Sequence, residues 1–165
     1  MRNRLLTVGL IACCAWPALS VARVWVGGDV GLTGGALAGT APIGIRAGLS
    51  TRSFPVGLEI GYQILSVNPG NIDLFTASAL YRQPIARVPG LHFLARLGIA
   101  NVNSTAGAFV RNSTRPLIGV GVSYPILPHL NMRAEYDIVW NTRTAYGPSE
   151  NGNELLGGVT YSFGG

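Results

Sequence analysis

The sequence predicts an all-β chain, an eight-stranded antiparallel up-and-down transmembrane β-barrel, and three observations carry that prediction. Only 12% of the 165 residues are charged, 23 are glycine and the mean hydropathy is +0.34, a balance too apolar and too rich in glycine for an ordinary soluble domain. Beyond the N-terminus no window holds the uninterrupted run of ~20 apolar residues that a spanning helix needs. Instead, apolar residues alternate with small or polar ones at period two, the pattern of strands with one greasy face. The connections between these segments fall into two kinds in strict succession, one short or proline-bearing, the other polar or glycine-rich.

Taken in chain order, residues 1–22 carry Arg2 and Arg4, an apolar run over 5–16, then Pro17 and the small tripeptide Ser20-Val21-Ala22. That is the make-up of a secretory signal peptide cleaved after Ala22; the apolar run is too short for a spanning anchor. A lipidated Cys13 in the lipobox-like Leu10-Ile11-Ala12-Cys13 is the alternative. Cys13 and Cys14 are the only cysteines, so the barrel domain expected over 23–165 has no disulfide framework. Its length of about 143 residues is one domain's worth, and no linker, low-complexity segment or second domain is visible. All twelve basic residues are arginine, a side chain suited to carboxylates inside a protein and phosphates outside it.

The alternation places strands at 24–32, 42–50, 56–65, 74–81, 91–100, 117–124, 131–140 and 155–163, most of them of the ~9–11 residues a tilted membrane strand requires. The connections 51–55, 82–90 and 125–130 are short or carry prolines, whereas 33–41, 66–73, 101–116 and 141–154 are polar or glycine-rich, the last two long. An up-and-down meander puts these two sets at opposite ends, as in outer-membrane barrels with short periplasmic turns and long external loops.

Parity decides which face looks where. In strand one Val24, Val26, Val30 and Leu32 share a face opposite Gly27, Asp29 and Gly31; strand two sets Ile43, Ile45, Ala47 and Leu49 against Gly44, Arg46 and Gly48. Strand three sets Val56, Leu58, Ile60, Tyr62 and Ile64 against Gly57, Glu59, Gly61 and Gln63. Strand five sets Phe93, Ala95, Leu97 and Ile99 against Arg96 and Gly98, and strand seven sets Met132, Ala134, Tyr136, Ile138 and Trp140 against Arg133, Glu135 and Asp137. Charges and glycines thus share one face. Facing bulk water, as in a soluble barrel of lipocalin type, the glycines would weaken the strands and gain nothing. Lining a narrow barrel, they leave room for long charged side chains. The interior set Asp29, Arg46, Glu59, Arg96, Arg133, Glu135 and Asp137 is therefore expected to pair into a salt-bridged plug, since buried charges left alone cost several kcal/mol each. Tyr81, Phe93, Tyr124, Tyr161 and Phe163 near the turn-side ends, with Tyr62 and Trp140 toward the loop side, fit interfacial girdles. The pairs Gly44/Gly48 and Gly57/Gly61 have helix-dimer spacing but no apolar helix to host it, and Gly119-Val-Gly121 has no crossover helix to make a dinucleotide site.

Gly57-Leu-Glu-Ile-Gly-Tyr-Gln-Ile-Leu65, Ala95-Arg-Leu-Gly98, Gly119-Val-Gly-Val-Ser-Tyr-Pro-Ile126, Arg133-Ala-Glu-Tyr136 and Gly157-Gly-Val-Thr-Tyr-Ser-Phe-Gly164 resemble, in order and spacing, strands three and five to eight of the OmpA-like eight-stranded outer-membrane barrels. The resemblance spans nearly all of 23–165 and implies that fold. The closing Gly158-x-x-Tyr161-x-Phe163 resembles the C-terminal signal by which such barrels are recognised for insertion, implying barrel-assembly machinery and periplasmic chaperones as partners during biogenesis. Two features of the family are missing. The chain stops at Gly165, so no peptidoglycan-binding domain is expected. Ser123 stands where the family carries an interior Glu in strand six, and the interior Lys of strand four aligns near Ala79, so the resemblance does not extend to a gating exchange built on that pair.

Catalysis needs a nucleophile or an acid/base set within reach. The only histidines, His92 and His129, fall near turns on the periplasmic side. Lipid A deacylases of the PagL type are also eight-stranded, but use His with Ser two residues on; here Phe93-Leu94 and Leu130-Asn131 follow. No enzyme, cofactor or metal site is expected. Asn103-Ser-Thr and Asn112-Ser-Thr match glycosylation acceptors in form only. The expectation is an integral protein of the outer membrane of a Gram-negative bacterium, in contact with outer-membrane lipid and lipopolysaccharide. Its role is membrane-structural, or surface interaction with a ligand through 101–116 and 141–154, and no nucleic acid is involved. The alternatives are a narrow porin-like channel and, more remotely, a lipid A-modifying enzyme.

Overall fold

The computed structural model describes residues 22–39, 41–51, 54–67, 70–142 and 150–163. The expected signal peptide, with Cys13, therefore lies outside the described residues except for Ala22, which opens the first strand. Eight strands follow: β1 (Ala22–Gly35), β2 (Pro42–Thr51), β3 (Val56–Val67), β4 (Gly70–Pro84), β5 (His92–Ala106), β6 (Phe109–Leu127), β7 (Leu130–Thr142) and β8 (Glu150–Phe163). Each pairs antiparallel with the next, and β1 closes on β8 from Val24↔Phe163 to Gly35↔Gly152, so that every strand of the ring has two neighbours. Closure satisfies the backbone within the sheet, as hydrocarbon demands.

The period-two alternation becomes two faces. Leu32, Ile43, Leu58, Ile60, Leu97 and Ile99 are each more than half exposed, whereas Asp29, Arg46, Glu59, Arg96, Glu135 and Asp137 are each less than a tenth exposed. A soluble barrel would invert this. The aromatic residues Tyr62, Tyr81, Phe93, Tyr124, Trp140, Tyr161 and Phe163 all point outward. The expected mid-height residues Leu58 and Ile60 are exposed, and Ile138 is half-buried on the same outer face.

The expected connections need correction. The supposed loop 101–116 is almost entirely strand: β5 runs on to Ala106, β6 begins at Phe109, and Asn101↔Thr114, Asn103↔Asn112 and Thr105↔Val110 are in register. Only a tight turn joins them, made possible by Gly107, whose φ of 60° suits glycine best. Residues 66–67 and 70–73 of the supposed loop 66–73 are likewise absorbed into β3 and β4, which pair up to Val67↔Gly70. Alternation failed as a signal here because polar residues occupy both faces. On the outer face Leu97 and Ile99 give way to Asn101, whose amide donates to Asn112 Oδ1 and Thr114 Oγ1 at 3.0 Å each. On β4 Phe75 gives way to Asp73, which accepts from the Tyr62 hydroxyl at 3.0 Å. The β3 to β6 wall therefore rises past the apolar band into water. Pro116 lies just beyond Leu117↔Val139, where β6 stops pairing with β7, so its missing N–H interrupts no ladder on that side.

At the end carrying residues 22 and 163, here the terminal end, the turns are short. Pro128 and His129 make the β6–β7 turn, His129 at a φ of 71°, and a register shift between Pro125 and Leu127 precedes it.

Candidate functional site: the barrel interior

An eight-stranded barrel is only just wide enough for its own side chains to fill, and here they fill it in layers. At mid-height lies an ionic cluster. Arg46 of β2 is its hub: Nε reaches Asp29 Oδ2 at 2.5 Å, and Nη1 reaches Glu135 Oε2 at 2.5 Å and Glu59 Oε1 at 3.2 Å. Arg96 binds Asp137 Oδ2 through Nη1 at 2.5 Å and Glu59 Oε1 through Nε at 3.2 Å. Arg133 binds Glu59 Oε2 through Nη1 at 2.9 Å, pairs with Glu135 through Nη2, and lays its guanidinium 4.9 Å from the Trp25 ring centre. The structure thus brings together all seven charged residues singled out from the sequence. Of the insertion-signal residues, Tyr161 and Phe163 lie on the outer face in edge contact, ring centres 5.0 Å apart. Gly158 sits opposite Asp29 in the β1–β8 register, outside the ionic cluster.

Three members of the site were not in that set. Thr76 and Ser78 of β4 accept from Arg96 at 2.8 and 3.0 Å, and Gln63 donates to Asp29 Oδ1 at 3.2 Å. A fourth, Glu154, is 1% exposed beside Asp137 across the β7–β8 ladder. Its position falls in the expected connection 141–154, outside the parity of any expected strand. Neither Glu154 Oε1 nor Asp137 Oδ1 has a hydrogen-bond partner among the described residues. The cluster therefore sets three guanidiniums, Arg46, Arg96 and Arg133, against five carboxylates. Ala79, the position aligned with the family's interior Lys, points outward; the inward neighbours on β4 are Ser78 and Leu80. In a strand one residue is the other face, so Ala79 itself could not place a charge in the interior. Ser123 is inward and 4% exposed, as its parity with strand six required.

The glycines share the space as expected. A Cβ on Gly44 would stand 2.6 Å from Gln63 Cγ and 2.7 Å from Asp29 Oδ1, and one on Gly61 would stand 2.7 Å from Thr76 Oγ1. Gly157, on the outer face, meets nothing within 4 Å.

Above the cluster, at the end opposite the terminal end, the interior is apolar: Leu37, Leu65, Ile72, Leu74, Ala100, Val102, Leu117 and Val139 form one buried group. Leu37, from the β1–β2 connection, folds over the opening against Gly152, and its carbonyl accepts from Thr33 Oγ1 at 2.6 Å. No local pattern announced this layer, because an inward apolar residue next to outward polar ones reads as an irregular loop. Below the cluster the barrel opens at the terminal end into a vestibule of about 890 Å³. Trp25, Leu80 and Leu94 form its inner wall. Among the described residues no group of His, Cys, Asp and Glu is placed to hold a metal ion. His92 Nδ1 lies 2.8 Å from the Gly90 carbonyl and 3.2 Å from Arg82 Nη2, and the His129 ring lies 6.1 Å from that of Tyr161, tilted by 40°.

An apolar band outside, a closed ladder and a charged, filled interior define a membrane-embedded eight-stranded β-barrel. The sequence matches no protein-family model and no curated protein. Solved structures share the fold. The N-terminal β-barrel domain of Pseudomonas aeruginosa OprF is similar with a TM-score of 0.65 at 18% identity, over 86% of this chain and 97% of that one. Neisserial surface protein A is similar with a TM-score of 0.59 at 19% identity, over 86% and 97%. A major outer membrane protein from Thermus thermophilus is similar with a TM-score of 0.54 at 14% identity, over 86% and 99%.

Proposed function

We propose that the protein is an integral barrel of the bacterial outer membrane that serves as a closed structural wall and presents its β3 to β6 extension at the cell surface, with no role as a solute channel. The filled interior carries this reading: the ionic cluster spans the lumen from Asp29 on β1 to Asp137 on β7, and the apolar layer closes over it. A solute meeting that stack would have to displace paired charges and then buried aliphatic side chains. The outward apolar band and the shared fold with a Thermus thermophilus outer membrane protein support the location, which makes the terminal end periplasmic and the extension external. Residues 101–116 are then a stiff ribbon whose Asn101, Asn112 and Thr114 offer amides and a hydroxyl to a surface ligand.

Planar-bilayer recording tests this. The folded protein is expected to give no sustained ohmic conductance, and a stable conductance from the wild-type chain would replace the structural reading with the narrow-pore one. Fold alone does not settle between them; the packing of the lumen is what favours closure.

A further inference from the structure

The vestibule at the terminal end is basic, and its charge is unanswered. Arg23, Arg82 and Arg133 line it with His92 and His129, and no described lining residue is a carboxylate. Arg133 is committed to Glu59 and Glu135 above. Arg82 is not: both Arg23 and Arg133 lie close enough to repel it, and its Nε has no hydrogen-bond partner among the described residues. Its side-chain contact among the described residues, His92 Nδ1, also faces the Gly90 carbonyl. A single ring nitrogen cannot both donate to that carbonyl and accept from Arg82, so one of the two contacts is always unmatched. Ser123 adds a second donor, 4% exposed, lining the same cavity, its Oγ without a partner among the described residues. Buried polar groups are ordinarily satisfied, and guanidinium with hydroxyl is the donor set that suits an oxyanion.

The same lining holds one buried apolar group, Trp25, Leu80 and Leu94, beside neutral polar residues such as Thr160 and Ser162. On the outside of the barrel at this height are Tyr81, Phe93, Tyr124, Tyr161 and Phe163, the kind of girdle that marks the level of lipid headgroups.

We propose that the vestibule binds an amphiphile with a phosphate or carboxylate head, the oxyanion held by Arg82, Arg23 and Ser123 and the chain laid against Trp25, Leu80 and Leu94. The cavity of about 890 Å³ is large enough for such a molecule.

The test uses the folded protein in nanodiscs of zwitterionic lipid, titrated with octyl phosphate, octanoate, octyl glucoside or inorganic phosphate. The readout is the change in tryptophan emission that Trp25→Phe abolishes. Octyl phosphate and octanoate are expected to give saturable changes and octyl glucoside none. Arg82→Gln and Arg23→Gln are each expected to weaken binding about tenfold or more, and Ser123→Ala to weaken it less, with folding of every variant checked by heat-modifiable migration on SDS gels. Inorganic phosphate binding as tightly as octyl phosphate would overturn the amphiphile in favour of free anions. No saturable change in the folded wild type, equal binding of octyl glucoside, or unaltered binding by both folded arginine variants would overturn the site itself.

Discussion

At Glu59 three guanidiniums converge, from Arg46, Arg96 and Arg133, while Glu154, as deeply buried, has an oxygen that meets no donor among the described residues. The same chemical change at the two positions should therefore have opposite effects. Glu59→Gln removes the charge on which three arginines depend and should destabilise the barrel by about 3–5 kcal/mol, the usual consequence of breaking one side of a buried ionic group. Glu154→Gln keeps the shape, removes an acid adjoining Asp137 and should stabilise by roughly 1 kcal/mol, since a buried acid there must either hold a charge in an apolar setting or take up a proton to avoid it, and an amide does neither. Urea unfolding in lipid vesicles, followed by tryptophan emission, measures both; a loss of stability in Glu154→Gln would mean that its carboxylate is paired. Six of the seven charged residues chosen from the sequence were legible from parity in strands two, three, five and seven. Asp29 was legible from strand one. Glu154 was not, because its charge is inward only by virtue of the β8 ladder that begins at Glu150.

Elements differ in how far they can be pushed. Ile60 of β3 is 53% exposed between Tyr62 and Leu58 on the outer face, so Ile60→Arg should cost ~2–4 kcal/mol at mid-bilayer and appear as a smaller heat-modifiable fraction on unboiled SDS gels; folding as complete as that of wild type would remove the support for this face meeting lipid. β5 and β6 make a different prediction. If residues 101–106 and 109–116 are ladder, their cross-strand amides should exchange with solvent slowly, as amides in cooperative sheet do. Exchange at the rate of free peptide throughout 101–116 would restore the loop. The sequence reading missed this ribbon for a physical reason. Period two reports a contrast between faces, and here the contrast is blurred: Asn101, Asn112 and Thr114 point outward, while the inner parity mixes buried Val102 and Ser104 with Arg111 and Arg115.

On the scale of the whole molecule the proposed wall has two layers to close it, charge at mid-height and aliphatic side chains at one end. On that reading each layer closes it independently. Glu59→Gln, for all its expected loss of stability, should therefore still give no sustained conductance in planar bilayers, because Leu65, Leu74, Val102, Leu117 and Val139 remain above the cluster; a stable current from this variant alone would show that the ionic layer is the sole barrier. The opposite, terminal end is left open, and the unanswered charge of Arg82 and Arg23 lies there.

What the sequence by itself determined was the strand count, the closure into an antiparallel meander and the inside of the wall. Alternation within a strand is a local property, and faces of glycine and charge set opposite apolar ones leave one arrangement in lipid. What only the tertiary structure decided was which charges meet, where the strands stop, and what fills the lumen above and below them. The pairing of Arg46 with Glu135, 89 positions away, follows from the stagger of strands around a barrel. Leu37 joins the buried apolar group, and Arg82 is left with no carboxylate partner among the described residues, only once the ring has closed and set each beside residues that no local pattern connects to it.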